Sequence, residues 1–498
     1  MSKNLVINIF DGQENSDFRV LTFNLSTGKY LKNCSPDVKN LLDFFDEPPP
    51  FVKTSVKAVV YAYFEKLTIE FCEKLAAKLK NIQIPFRFMP LFYFATMSQL
   101  IAAKINPEVD NEILKICEKQ DIFRFLTFSR TENGYLLKKV REIPKKKFST
   151  EAILDSTNPT KIIITLNFSC PEAVALKSFL SAWNPIILPE LAEFFLFRTL
   201  KETVDHIFGL ESSKKYFIIP KSDQFGIAPV ESYTNESEVF FSTNTDDYLP
   251  LKKSIIVTRF DKQFLLIKRL DKQILQKVVQ KPHEITKEGH RIKLTLSIDI
   301  NNLPTLNHEG VLLSRVKNMP KKLKVEKTEK LPIIGFFDYA SVICLWNEEN
   351  NCYEFLDSWN GKFGKDLFLD LMFPKPKFVN SSTKVTSLSA AVYDLIKIMS
   401  MPPDDIKVDP KWKFNFTKDE DHPVLLEFDT YENDRKHATP AFLMALFLNE
   451  HIRAIKKETG IKPTKLGFRL LDEFENAEAR KRVEAGLKEA CGLIKIEC

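Results

Sequence analysis

Leu331-Pro-Ile-Ile-Gly-Phe-Phe-Asp-Tyr-Ala-Ser-Val-Ile-Cys-Leu-Trp346 is the stretch on which the reading of this chain turns. It is strand-like, apolar and β-branched on either side of one acid, Asp338. A turn that cradles phosphate must bring backbone N–H groups close to oxygen, and glycine does that. Here Phe337, Tyr339 and Ala340 surround the acid instead. The stretch therefore predicts a strand scaffold without a phosphate grip.

The same shortage runs through the whole chain. It has 498 residues with 42 Phe but only 14 Gly, where ordinary usage would give about 35 glycines. Such a chain builds thick cores and has few places where backbone can approach a ligand closely. Its length predicts two to four domains. Hydrophobic content of 44% with 28% charged residues describes a globular protein. The net charge of +6 is mild and gathers in 138–147 and 317–330. Neither run interleaves aromatics, which argues against nucleic acid and for solvated segments. The eight cysteines form no CxxC pair and the seven histidines no metal spacing, so we expect a reducing, cytoplasmic setting and no metal. The most apolar stretch, 88–103, is interrupted by Pro90 and Gln99 and reads as a buried helix, not a membrane span.

Working outward, Leu5–Phe10 and Phe18–Asn24 alternate around a turn at 11–17 and predict a hairpin. A strand at 56–62 and a helix over 64–80 follow, then a hairpin within 113–128, a strand at 161–166 and helical patterns at 171–183 and 189–210. This is α/β texture. Short β-branched runs dominate 216–312 and predict an all-β module, with a lysine-rich linker at 317–330. Beyond it α/β texture returns: a helix over 438–459 with Pro440 in its first turn and Gly460 past its end, a strand at 464–471, and a helix at 474–490. Segments 56–88 and 464–497 share strand, Phe-Glu, helix and short strand, which predicts one α/β unit occurring twice.

Several segments carry a family likeness. Trp412-Lys-Phe-Asn-Phe416, the helix from Pro440, and Phe474–Gly486 resemble successive parts of the nucleotide-binding domain of the seventy-kilodalton heat-shock chaperones. Val392–Asp405 is similar without gaps to that family's V-F-D-A-K-R-L-I-G-R-K-F-D-D. Ile292–Asn302 resembles I-E-V-T-F-D-I-D-A-N-G of its β-sandwich domain. The resemblance implies an actin-like (ribonuclease H-like) α/β ATPase fold joined to an all-β, β-sandwich peptide-binding domain and a second actin-like half. The implied units are 1–212, a degenerate nucleotide-binding domain; 213–316, the sandwich; 317–330, the linker; and 331–498, the first lobe of a second nucleotide-binding unit.

The resemblance also implies sites. Asp338 and Ser341 meet the family's first phosphate hairpin, and Asp11, Gly12 and Ser16 are the best surviving fragment of a phosphate hairpin, the first or the second. Residues 116–122 meet the second hairpin with side chains, Glu118 among them, in place of glycines. The family's catalytic lysine falls on Ile396, one residue before Lys397, and Glu497 aligns with an acid that positions water or Mg²⁺. Phe240, Ile256 and Leu265 are implied lining of a peptide channel, with ordinary core as the plainer role for each. Without a cation on the γ-phosphate, stabilisation of phosphoryl transfer falls sharply. The expectation is thus a chaperone relative binding extended client peptides, with co-chaperones as further partners, and with ATP hydrolysis impaired or lost. Two alternatives stay open: an active ATPase holding Mg-ATP on these residues, and a non-catalytic interaction scaffold.

Overall fold

The structure is a computed structural model that describes residues 3–11, 18–64, 68–119, 121–145, 153–154, 158–165, 171–188, 195–230, 239–261, 263–270, 275–278, 283–285, 288–325 and 329–498. It is mixed α/β, with several sheets.

Residues of the first sheet are β1 (Leu5–Asp11), β2 (Phe18–Asn24), β3 (Asp37–Val38), β4 (Val56–Tyr63) and β5 (Phe86–Pro90), in the order β3-β2-β1-β4-β5. Alternation in β1 and β2 places them antiparallel from Leu5–Asn24 to Asp11–Phe18. The β-branched run of β4 lies parallel to β1, and β5 lies parallel to β4. Parallel neighbours need a crossover, and helix Ile69–Asn81 supplies it between β4 and β5. The Thr68 hydroxyl caps that helix by accepting from Phe71 N–H, so it starts later than apolar spacing suggested. Its buried face is Cys72, Leu75, Ala76 and Leu79.

The pattern then repeats. β6 (Glu112–Lys119), β7 (Ile122–Thr131), β8 (Gly134–Pro144), β9 (Lys161–Thr165) and β10 (Ile186–Leu188) run β10-β9-β6-β7-β8, with Ile218–Ile219 beyond β8. Again the first three strands form an antiparallel meander and the last two run parallel to the first. The two sheets share one core: Val6, Ala58 and Val60 from the first, and Ile113, Leu126 and Phe128 from the second. Helix Leu91–Ala102 fills it with Phe94, Met97, Leu100 and Ile101, each contributing about 1.5–3 kcal/mol by burial. Helix Leu196–Ile207 adds Leu200 and Val204. The expected helix over 189–210 is shorter in its described part, and 189–194 lie outside the described residues. Likewise 171–183 is helical over Pro171–Phe179 and ends in a separate turn at Ser181–Trp183. Among the described residues, no helix is long and apolar enough to cross a membrane.

Residues 225–311 form two antiparallel sheets. One contains Phe225–Pro229 paired with Gln263–Leu270; the other contains Leu251–Thr258, Arg291–Ile298 and Pro304–Val311. Their facing sides meet in one cluster, Phe225, Ile227, Phe264 and Leu266 against Ile292, Leu294 and Leu296. Together the two sheets make up the β module.

The lysine-rich segment expected as a solvated linker is structured in its first half. Ser314–Lys317 and Met319–Val325 are short helices that bury Val316, Met319 and Leu323 against Ile333, Phe337 and Val342. Lysines at 317, 321, 322 and 324 leave one apolar stripe intact, and that stripe docks.

The strand order returns a third time in 331–498. Strands Cys352–Phe355, Ala340–Asn347, Ile333–Phe337 and Gly467–Leu470 lie side by side in that order, the last parallel to Ile333–Phe337. A parallel bridge between Lys465 and Glu497 stands where a fifth strand would be. Helix Pro440–Thr459 begins with Pro440 after the Thr439 cap and ends at Gly460, whose φ of +74° suits glycine. Between the third and fourth strands, residues 365–438 add two small three-stranded sheets.

Candidate functional site

The quoted stretch folds as a tight hairpin: Ile333–Phe337 and Ala340–Asn347 pair up to Phe337–Ala340, leaving Asp338 and Tyr339 as the turn. Asp338 takes a left-handed φ of +47°. Aspartate tolerates that conformation better than most residues, because its short polar side chain can bond locally. At the far end of the parallel strand Gly467–Leu470 the chain reaches Asp472. The Asp338 N–H donates to Asp472 Oδ2 at 2.6 Å, and Arg315 Nη2 donates to Asp472 Oδ1 at 2.6 Å. The Asp338 carboxylate is itself gripped by Arg291 of the β module, Nε to Oδ2 at 3.1 Å and Nη2 to Oδ1 at 2.7 Å. Such a two-pronged guanidinium–carboxylate pair is among the stronger polar contacts. Phosphate brought to this turn would meet two carboxylates, and the Asp338 N–H is already committed. The residues present do not fit a nucleotide phosphate.

Beside this network lies a cavity of about 610 Å³ between the β module and the third unit. Phe260, Tyr393 and Trp412 form aromatic wall, and Asp394, Asp409 and Lys397 line another side. Asp394 also has a left-handed φ, +62°, at the start of helix Leu395–Ser400. Burial pushes its carboxyl up to about 7, partly offset by the nearby Lys397 and the Trp412 indole N–H. Asp472 is pushed up to about 6, first by burial and then by the neighbouring Asp338 charge. Carboxyls with raised pKa in a cleft are a physical mark of a functional site.

The expected site residues fall in different places. Asp338 borders the cavity. Lys397 borders it too, but donates to Asp409 at 2.8 Å and stands 5.1 Å from the Trp412 ring centre. Ser341 is fully buried: its hydroxyl meets His451 Nε2 at 2.7 Å and accepts from Trp359 Nε1 at 3.0 Å. Phe447 carbonyl can only accept, so His451 Nδ1 carries the proton there, at 2.7 Å, and Nε2 accepts from Ser341. Burial drives the imidazole down to about 4, so it is neutral. Glu497 is exposed on the bridge to Lys465 and is not part of the cavity wall.

In the first unit Asp11 ends β1 and ties it to β4, accepting from the Tyr61 hydroxyl and from Phe64 N–H. Gly12 and Ser16 lie outside the described residues. Glu118 pairs with Lys145 at 2.7 Å. The three positions implied for a peptide channel do not converge. Leu265 is buried with Ala228 and Ile267; Phe240 packs on Phe264, 5.7 Å between centres; Ile256 is 52% exposed on the other sheet.

Arg291, Arg315, Asp394 and Asp472 were not foreseen. Arg291 and Asp338 are far apart in sequence, and no local spacing announces such a pair. A sharper signal was available at Asp472, an acid two residues past the half-buried strand Gly467–Leu470. No family model matches this chain, and no curated protein is similar to it in sequence. Among the described residues, no group of three or more His, Cys, Asp or Glu is placed to hold a metal ion.

Proposed function

We propose that this protein is a non-catalytic interaction scaffold, built on the frame of the heat-shock chaperones after loss of their nucleotide grip. The recurrent strand order, meander first and two parallel strands after, supports an actin-like reading of residues 1–212 and 331–498. The two facing antiparallel sheets support a β sandwich in 213–316. One observation carries the functional part: Asp338 at the hairpin turn is held by Arg291, and its N–H is spent on Asp472.

Further contacts make the β module and the third unit one body. Arg259 of the module donates to the buried Asp366 and to the carbonyl of Phe363. Lys411 pairs with Asp261 at 2.7 Å. His290 Nε2 lies 2.6 Å from the Lys362 carbonyl. Phe260 of the module is counted within the core of the third unit, against Tyr339, Phe368 and Tyr393. A chaperone cycle needs its peptide module to move against its ATPase; packing of this kind favours a fixed platform for a partner protein. The test is Arg291→Ala in the full chain. The scaffold reading expects no ATP turnover in either protein and easier proteolysis between 312 and 331 in the variant. ATP hydrolysis by the wild-type chain, lost in Asp338→Ala, would sink the reading.

A further inference from the structure

We infer that the cavity between the β module and the third unit receives a lysine or arginine side chain of a partner protein. The inference rests on the scaffold reading and names the chemistry of its partner.

Charge decides the class of occupant. Six carboxylates and four cationic side chains line the cavity. Every one of the four cations is already engaged: Arg291 by Asp338, Arg315 by Asp472, Lys397 by Asp409 and Lys411 by Asp261. Asp261 lies outside the cavity wall, so three lining acids have no cation of their own, one of them sharing Lys397, 4.0 Å away, with Asp409. They are Asp394, Glu473 and Glu475. Asp394 accepts from Trp412 Nε1 at a long 3.3 Å and stands 4.0 Å from Lys397. Glu473 and Glu475 are exposed beside it, in the loop after strand Gly467–Leu470, with no ion pair among the described residues. An anion entering here would face the exposed carboxylates of Glu473 and Glu475; an ammonium or guanidinium group would complete them and favour the ionised form of Asp394.

Two other features of the wall suit that group. Tyr339 is 8% exposed, and its buried hydroxyl lacks a well-formed hydrogen bond, with the Thr258 side chain beside it. A phenol oxygen there accepts from a donor-only ligand such as lysine or arginine. Phe260, Tyr393 and Trp412 give apolar surface for an aliphatic stem, although Lys397 already stands over the Trp412 ring and Lys411 over the Phe260 ring. The feature is local: the chain as a whole carries +6, so general attraction would repel a basic segment.

The experiment uses the full-length protein and fluorescence anisotropy with a fluorescein-labelled peptide alternating lysine and glycine. Peptides with norleucine or glutamate in place of lysine serve as controls, and spermidine as a competing free amine. We expect saturable binding of the lysine peptide alone. Glu473→Gln/Glu475→Gln, at exposed positions that do not hold the fold, should weaken it at least about tenfold, and so should Asp394→Asn. Equal affinity in these variants overturns the proposal, as does binding of the norleucine or glutamate peptide at comparable strength. Binding of spermidine without the lysine peptide overturns the partner-protein source. Magnesium ATP titrated into the same sample separates the two readings. Nucleotide binding sinks the scaffold reading, whereas absence of both nucleotide and peptide binding sinks only this one.

Discussion

Arg259→Ala is the perturbation that asks most of the seam between the β module and the third unit. Arg259 is 8% exposed and Asp366 is 3% exposed, and the guanidinium Nε donates to that carboxylate. Its Nη1 donates to the carbonyls of Gly289 at 2.9 Å and Phe363 at 2.8 Å. Truncation removes the Arg259 cation from a buried carboxylate, which costs about 3–5 kcal/mol. Two carbonyls also lose a donor, at about 1 kcal/mol each where water cannot replace it. We expect a total near 4 kcal/mol, because the enlarged space admits some water. Urea unfolding followed by tryptophan fluorescence is a suitable assay, since Trp346, Trp359 and Trp412, three of the four tryptophans, lie in the third unit. Arg259→Leu/Asp366→Leu removes both charges and should recover to within about 2 kcal/mol of wild type. A loss below about 1 kcal/mol in the single variant would refute the reasoning. So would a double variant no more stable than the single one.

Other outcomes follow from the same structure. His451 is held neutral with its pKa lowered to about 4 by burial. Its contribution is therefore complete above the unfolded value of about 6.5 and is lost as pH falls towards 4, by up to about 3 kcal/mol. Urea midpoints measured across that range should drop more steeply in wild type than in His451→Leu. Asp394 has the opposite sign, because its pKa is raised to about 7 by burial. Stability from its protonated form is full below about 4 and is lost as pH rises to about 7, by about 3–4 kcal/mol at most. Asp394→Asn should flatten that loss and unfold later than wild type at pH near 8; an unchanged profile would contradict the buried-acid account. Phe260→Ala removes a ring of the β module from the third unit's core, where it is 5% exposed. A cost of about 3–5 kcal/mol is expected in the same fluorescence transition; a cost confined to the β module, leaving that transition unmoved, would argue against a shared core.

Sequence carried the scaffold further than the site. Alternation exposed β1 and β2, the β-branched run exposed β4, and Pro440 with Gly460 bounded a long helix because those residues act through local backbone chemistry. Third strands escaped for opposite reasons. Asp37–Val38 is two residues long, and Gly134–Pro144 turns lysines at 138 and 139 to solvent and so loses its apolar signature. Helix Met319–Val325 was hidden by lysines around a stripe of two buried residues. At the candidate site, Asp338 stood out because an acid inside an apolar run is costly unless partnered. Its partner did not, since Arg291 comes from a different unit and meets it only after both have folded. Asp394 lay one residue past Tyr393 in a segment read for its lysine, and only its burial marks it.

Calorimetric titration of magnesium ATP and ADP into the full-length protein tests the central claim most directly. With Asp338 gripped by Arg291 and its N–H engaged by Asp472, the account predicts no saturable heat up to about millimolar nucleotide, weaker than about 4 kcal/mol of binding. Micromolar affinity that disappears in Asp338→Ala would contradict it.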